Sequence, residues 1–204
     1  MLTIALPKGR ISKETLEKFE NIFKEKFVFD SRKLILEKHG FRFLNVRNQD
    51  IPTYVMYGAC DLGVVGLDVL EEQPFKLLNL LDLQIGKCKL CIGLKENHEL
   101  DWSKSILKVA TKHTKIAKRY FESKAMAVDI IKLYGSIELA PIVNLSDCIV
   151  DIVETGNTMR ENGLKISTTI MQSSAQLVAN EQAFYSKKED ILKLRDKLYK
   201  SIVG

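Results

Sequence analysis

Short apolar runs rich in β-branched residues recur along this chain, and most lead through a turn signal into a stretch with helical periodicity. Residues 2–6, 41–46, 61–66, 89–94, 106–110, 128–133, 148–153 and 164–170 read as strands, with further apolar runs at 77–83 and 174–179. Helical stripes stand between them: Thr15, Leu16, Phe19, Ile22 and Phe23 after the first run, and Ile116, Ala117, Tyr120 and Phe121 after the fifth. This β-α-β-α alternation predicts an α/β fold on a largely parallel sheet. Ser12, Asp50 and Thr114 are the expected helix caps, and Ser186 with Glu189 fits a capping box for a final helix. The apolar face of that helix would be Ile191, Leu192, Leu194, Leu198, Tyr199 and Ile202. The 204 residues suffice for one large domain or two small lobes. No linker rich in Pro, Gly or Ser divides them, so two lobes would be joined by strands.

The chemistry concentrates where two of these runs end. The run at 148–153 breaks into Glu154-Thr155-Gly156-Asn157-Thr158. Backbone N–H groups and hydroxyls of such a turn can converge on a phosphate, aided by the N-terminus of the helix that follows. The acids beside it, Asp151 and Glu154, can accept hydrogen bonds from ribose hydroxyls. An ordinary strand–turn–helix corner has the same composition. The first run ends in Pro7-Lys8-Gly9-Arg10, where a glycine permits close backbone approach between two cations. Arg32 and Arg47 fall at further loop positions, and guanidinium forks match phosphate oxygens. A solvated charged loop accounts for any one of these equally well.

Bulk properties narrow the classes. Basic residues exceed acidic ones only mildly, 31 against 26, for a net charge of +5; that suits a small anionic substrate. No basic block interleaved with aromatics points to nucleic acid. No run is long enough to span a membrane, and Pro7 and Lys8 interrupt the first apolar run too early for a secretory signal, so a cytoplasmic location is expected. Cys88 and Cys91 have C-x-x-C spacing, but on a strand they would point to opposite faces. With no second such pair, buried free thiols are the expected state, not a metal or redox site.

Taken in order, the longer motifs resemble the ATP phosphoribosyltransferase family in its short form. They are ALPKGR at 5–10, SRKLI at 31–35, RNQDIPTYVMYGACDLGVVGLD at 47–68, GKCKLCIGL at 86–94 and VATK at 109–112. RYF at 119–121, GSIELAP at 135–141, DIVETGNTMRENGL at 151–164 and SAQLVAN at 174–180 complete the set. Two local departures are His113-Thr114, where the family commonly has Tyr-Pro, and Leu67, where a lysine is common.

The resemblance implies transfer of phosphoribosyl from 5-phosphoribosyl 1-pyrophosphate to N1 of ATP, giving phosphoribosyl-ATP and pyrophosphate, the first step of histidine biosynthesis. It implies an α/β fold of two lobes resembling type II periplasmic binding proteins, with the substrate cleft between them. Lobe I would take residues 1–86 plus 172–204, and lobe II residues 87–171. By motif, Thr155, Gly156, Asn157 and Thr158 would hold the donor's 5-phosphate, and Asp151 and Glu154 its ribose hydroxyls. Arg32 and Arg47 would be catalytic. Lys8, Gly9 and Arg10 would bind ATP or pyrophosphate, while Gly135, Ser136 and Glu138 match a motif beside the cleft. Mg2+ would arrive on the substrates. The chain would lack the C-terminal histidine-binding domain of the long form. It would work as a homodimer within a hetero-oligomer, beside a regulatory subunit resembling histidyl-tRNA synthetase. Another phosphoribosyltransferase with a different base, or a non-catalytic two-lobed ligand-binding protein, are the competing readings.

Overall fold

A computed structural model describes residues 1–30 and 32–203. Ser31, the first residue of the SRKLI motif, and Gly204 lie outside the described residues. The chain divides into two compact units, Met1–Gly86 with Ser174–Gly204, and Lys87–Ser173. It thus leaves the first unit after Gly86 and returns after Ser173.

In the first unit, β1 (Leu2–Pro7) leads into α1 (Arg10–Phe23), and β2 (Ile35–Lys38) turns through His39 and Gly40 into β3 (Phe41–Val46). A single 3-10 turn, Asn48–Asp50, runs into α2 (Ile51–Met56), followed by β4 (Leu62–Gly66), α3 (Leu67–Glu72) and β5 (Leu78–Asp82). In the second unit come β6 (Cys88–Lys95), β7 (Leu107–Thr111), α4 (Thr114–Ser123), β8 (Val128–Lys132), α5 (Leu139–Ile142), β9 (Cys148–Val153), α6 (Asn157–Glu161) and β10 (Leu164–Ser173). The returning segment adds β11 (Ala175–Ala179), α7 (Glu181–Ser186) and α8 (Lys188–Val203) to the first unit.

Each unit is built on one sheet, in the orders β2-β3-β1-β4-β11-β5 and β10-β6-β9-β7-β8. Neither is largely parallel. In the first, β3-β1-β4 is parallel while β2, β11 and β5 run antiparallel to their neighbours. In the second, β9-β7-β8 is parallel and β10-β6-β9 antiparallel. Strand runs reveal burial but not direction, and here the β2-β3 hairpin, the returning β11 and the non-consecutive pairs β6-β9 and β6-β10 are antiparallel.

The first sheet is covered on both faces, so its central strands are continuously apolar. One face packs Ile4, Leu6, Phe19 and Phe43 with Ile191, Leu194 and Leu198 of α8; the other packs Ala5, Ile51, Val55, Val65 and Val178. Phe19 stands edge-on to Phe41 and Phe43, at centroid distances of 5.2 and 5.0 Å. Tyr199, expected on the apolar face of the last helix, is exposed.

Three helix starts differ from expectation. α1 begins at Arg10 behind Gly9, leaving Ser12 buried inside the helix. α4 begins at Thr114, with His113 in the cap position. Ser186 ends α7, where its hydroxyl donates to the Ala183 carbonyl at 3.3 Å, instead of opening α8. α7 itself is capped by Asn180, whose side-chain oxygen accepts the Ala183 N–H at 2.9 Å. Its amide also donates to the Val55 carbonyl at 2.9 Å, so the last residue of SAQLVAN ties two segments together.

Candidate active site

In the second unit the alternation of β9 sorts its side chains. Cys148 and Val150 pack on the face covered by Phe121, whereas Ile149 and Val153 pack on the other with Met159. Asp151 falls on this second face by the two-residue period. The strand ends at Val153, and Gly156, with φ of 80°, turns the chain into α6. Met159, buried in the same cluster as Ile149 and Val153, anchors that turn from below.

A cavity of about 290 Å³ opens here, and Glu138, Asp151, Glu154, Thr155, Gly156 and Thr158 are among its lining residues. Asn157 is exposed beside it and accepts a hydrogen bond from the Arg160 guanidinium. The Asn162 amide donates to the Thr158 carbonyl at 2.8 Å, closing the short helix. α6 has only five residues. The expected help from a helix dipole is therefore small, and anion binding would rest on the turn's own N–H groups and hydroxyls.

Asp151 is the most constrained side chain of the cavity. It is 16% exposed, and its Oδ1 is buried without a hydrogen-bond partner. Lys112 Nζ lies 3.9 Å from that oxygen. Burial pushes the Asp151 carboxyl above the usual carboxylate range, and the Glu138 charge adds to this; the Ile152 N–H and the Lys112 charge pull the other way. Asp147, before β9, shows the reverse outcome. Its burial would raise it, but the Lys104 hydrogen bond, the Lys108 N–H and both lysine charges hold it below the ordinary value. Burial pushes the Cys148 thiol up to about 12, so it is no nucleophile at neutral pH.

In the first unit the cationic candidates gather on one edge of the sheet. β1 and β3 run parallel with Pro7 beside Val46, and the Lys8 N–H donates to the Val46 carbonyl at 2.9 Å. Arg47 therefore leaves β3 next to the Lys8-Gly9-Arg10 loop. Arg32 precedes β2, whose first residue pairs with Leu44 near the same end of β3. Lys8, Gly9, Arg10, Arg32 and Arg47 are all exposed. Glu14 orders this edge: its carboxylate pairs with Arg10 at 3.5 Å and accepts the Gly86 N–H at 2.8 Å. Gly9, with φ of 99° and ψ of −144°, makes the turn into α1.

The motif positions thus fall into two groups, one per unit. Reading the sequence alone left out Lys112, Glu14 and the anchoring role of Met159. Of these, Met159 carried a sequence signal as an apolar residue one turn behind a polar loop, and Lys112 one as the last residue of VATK, but the sequence assigned no role to Lys112 or Glu14.

A family model described as ATP phosphoribosyltransferase matches residues 47–200. A curated ATP phosphoribosyltransferase from Sulfurovum sp. (strain NBC37-1) is 62% identical over 198 residues, covering 97% of this chain and 96% of its own. This chain belongs to the ATP phosphoribosyltransferase family. Among solved structures, the ATP phosphoribosyl transferase (HisG:HisZ) complex from Thermotoga maritima aligns with a TM-score of 0.84 at 33% identity, over 99% of this chain and 98% of that one. The periplasmic aliphatic sulphonate binding protein of Escherichia coli aligns with a TM-score of 0.65 at 12% identity, over 98% and 72% of the two chains. That likeness concerns the fold alone, which is the α/β arrangement of periplasmic binding proteins that the family resemblance implied.

Proposed function

We propose that this protein is the catalytic chain that joins phosphoribosyl to N1 of ATP, releasing pyrophosphate, in the first step of histidine biosynthesis. Family membership supports the reaction. The observation that carries the site is the cavity of the second unit, where Asp151, Glu154, Thr155, Gly156 and Thr158 share one lining.

In this reading the turn at 155–158 holds the donor's 5-phosphate. Asp151 and Glu154 accept hydrogen bonds from its ribose hydroxyls. The C1–oxygen bond breaks with its electron pair leaving on pyrophosphate, and the adenine N1 lone pair forms the new bond to C1. Such a displacement builds positive charge on the ribose and negative charge on the leaving group. Fixed charges and positioning therefore do most of the catalysis. Arg32 and Arg47 stabilise the charge on pyrophosphate, and Lys8, Gly9 and Arg10 bind ATP or pyrophosphate. Mg2+ enters as part of the substrates, neutralising and orienting the pyrophosphate.

The unit of residues 87–173 would serve as the donor-binding lobe and the other as lobe I. The protein would act in the cytoplasm as a homodimer beside a regulatory subunit resembling histidyl-tRNA synthetase; the two-component HisG:HisZ complex from Thermotoga maritima supports such a partner. Among the described residues no helix is long and apolar enough to cross a membrane. The deciding experiment follows pyrophosphate release from the donor with ATP, free purines or pyrimidines as acceptor, with and without the partner. Release dependent on ATP is expected. Release dependent on another base, or binding of both substrates without release, would overturn the assignment.

A further inference from the structure

Lys112 has no role in the scheme above, yet it is held in place with care. It follows β7 between two pinned residues. The buried Thr111 hydroxyl donates to the Val150 carbonyl of β9 at 2.6 Å and accepts the His113 N–H at 2.9 Å. The turn that carries Lys112 is thereby stapled to the strand that carries Asp151. Its ammonium stops 3.9 Å from Asp151 Oδ1.

That separation is informative. It is too long for a hydrogen bond, so the lone pairs of Oδ1 stay open, but short enough for strong charge attraction in a half-buried site. The other groups facing Asp151 do not supply this. Glu138, before α5, is a like charge on the same cavity, Glu154 is another acid on its own strand's exit, and Cys91 is its cross-strand partner on β6.

We propose that Lys112 is a positioning residue for the transfer reaction: it keeps the enclosed Asp151 carboxylate charged while leaving Oδ1 open to accept a ribose hydroxyl. The proposal rests on the reading of Asp151 as a donor-binding acid. A direct Lys112–Asp151 hydrogen bond would have to break each time the donor bound. A pair held at this distance offers charge without competition.

The test has two arms. The first follows the Asp151 side-chain carboxyl by carbon NMR across pH in ligand-free protein, using Asp151→Asn to assign the signal. The titration midpoint should rise in Lys112→Met and Lys112→Gln and stay near the native position in Lys112→Arg. An unmoved midpoint in both neutral variants overturns the proposal, whatever happens to binding. The second arm measures affinity for 5-phosphoribosyl 1-pyrophosphate with Mg2+. The ratio of Lys112→Met to native affinity should fall about tenfold as pH is lowered from above to below the variant's own midpoint found in the first arm, with Lys112→Arg close to native throughout. A loss equal at every pH would make Lys112 a plain ligand contact and overturn the positioning role. A raised midpoint with unchanged donor affinity at all pH values would instead overturn the donor-binding reading of Asp151.

Discussion

Gly9 and Gly156 occupy matching places in the two units, each between the end of a buried strand and the first turn of a helix, and each with a positive φ. Their surroundings differ. A Cβ on Gly9 would meet nothing within 4 Å, whereas one on Gly156 would come within 3.2 Å of Ile166 Cδ1. Gly9 is nonetheless the harder glycine to replace, because its φ of 99° and ψ of −144° lie where only glycine is at ease. Gly156, at φ of 80° and ψ of 1°, sits nearer the left-handed well that other residues reach at modest cost.

The charges differ as well. Gly9 opens the 14-residue helix α1, with cations Lys8 and Arg10 on either side. Cations at the positive end of a helix are unfavourable unless an anion joins them, which is why the proposed function sets ATP or pyrophosphate here. Glu14 answers for only one of them. Gly156 opens a five-residue helix behind Asp151 and Glu154. The same strand–glycine–helix device therefore serves opposite ends. In one loop it gathers positive charge on a helix terminus, and in the other it brings acids and hydroxyls round a sugar-sized cavity. The local backbone plan is the same in both; the flanking charges differ.

Substitutions can break this contrast, and the largest effect is expected on the cationic side. Arg47→Ala should lower kcat/KM by about 10²- to 10³-fold with the melting temperature unchanged, since one charge-stabilising donor is lost. Unaltered kinetics would remove Arg47 from the site. Gly9→Ala should cost about 1–3 kcal/mol in denaturant unfolding through backbone strain alone. Gly156→Ala should cost about 1 kcal/mol, and adding Ile166→Val, which deletes the crowding δ-methyl, should restore part of that loss. A double-mutant cycle without coupling would show that Ile166 does not limit the turn.

Thr158→Ala should weaken the donor by about tenfold while ATP affinity changes little, matching the loss of one hydrogen bond to a charged group. Equal losses for both substrates would point to misfolding of the turn. Asp147→Asn should lower stability by about 1 kcal/mol at neutral pH. A carboxyl held below its unfolded value stabilises above that value and loses the contribution as pH falls through the folded one, so native and variant unfolding curves should converge in acid. Asp151→Asn should do the opposite. A carboxyl raised in the fold favours folding only while protonated, and that contribution is lost as pH rises through the folded value. Removing it should raise the melting temperature by about 2 °C at neutral pH while donor binding is lost. A lower melting temperature would mean that the ion pair with Lys112 outweighs the burial cost.

Apart from the half-exposed β2, strand positions and the two glycine turns could be read directly from the residues. β3 and β9 match their apolar runs residue for residue, and β1 and β8 lie within a residue of theirs. A buried strand must be apolar along its length, so composition alone marks it. Helix starts were harder to read. Ser12, Thr114 and Ser186 all have capping side chains, but the cap falls where the preceding backbone turns, and Gly9, His113 and the end of α7 decide that point.

The sequence by itself determined the strands other than β2, the glycine loops and, through ordered motifs, the family. Only the tertiary structure decided the mixed strand directions, because hydrogen-bond partners on a sheet come from segments distant in the chain. It also decided the company of Asp151. Lys112 and Glu138 reach it from separate loops, and nothing in a linear reading shows which charges share a cavity. Low dielectric and short distance, not sequence spacing, set the chemistry of a buried carboxylate.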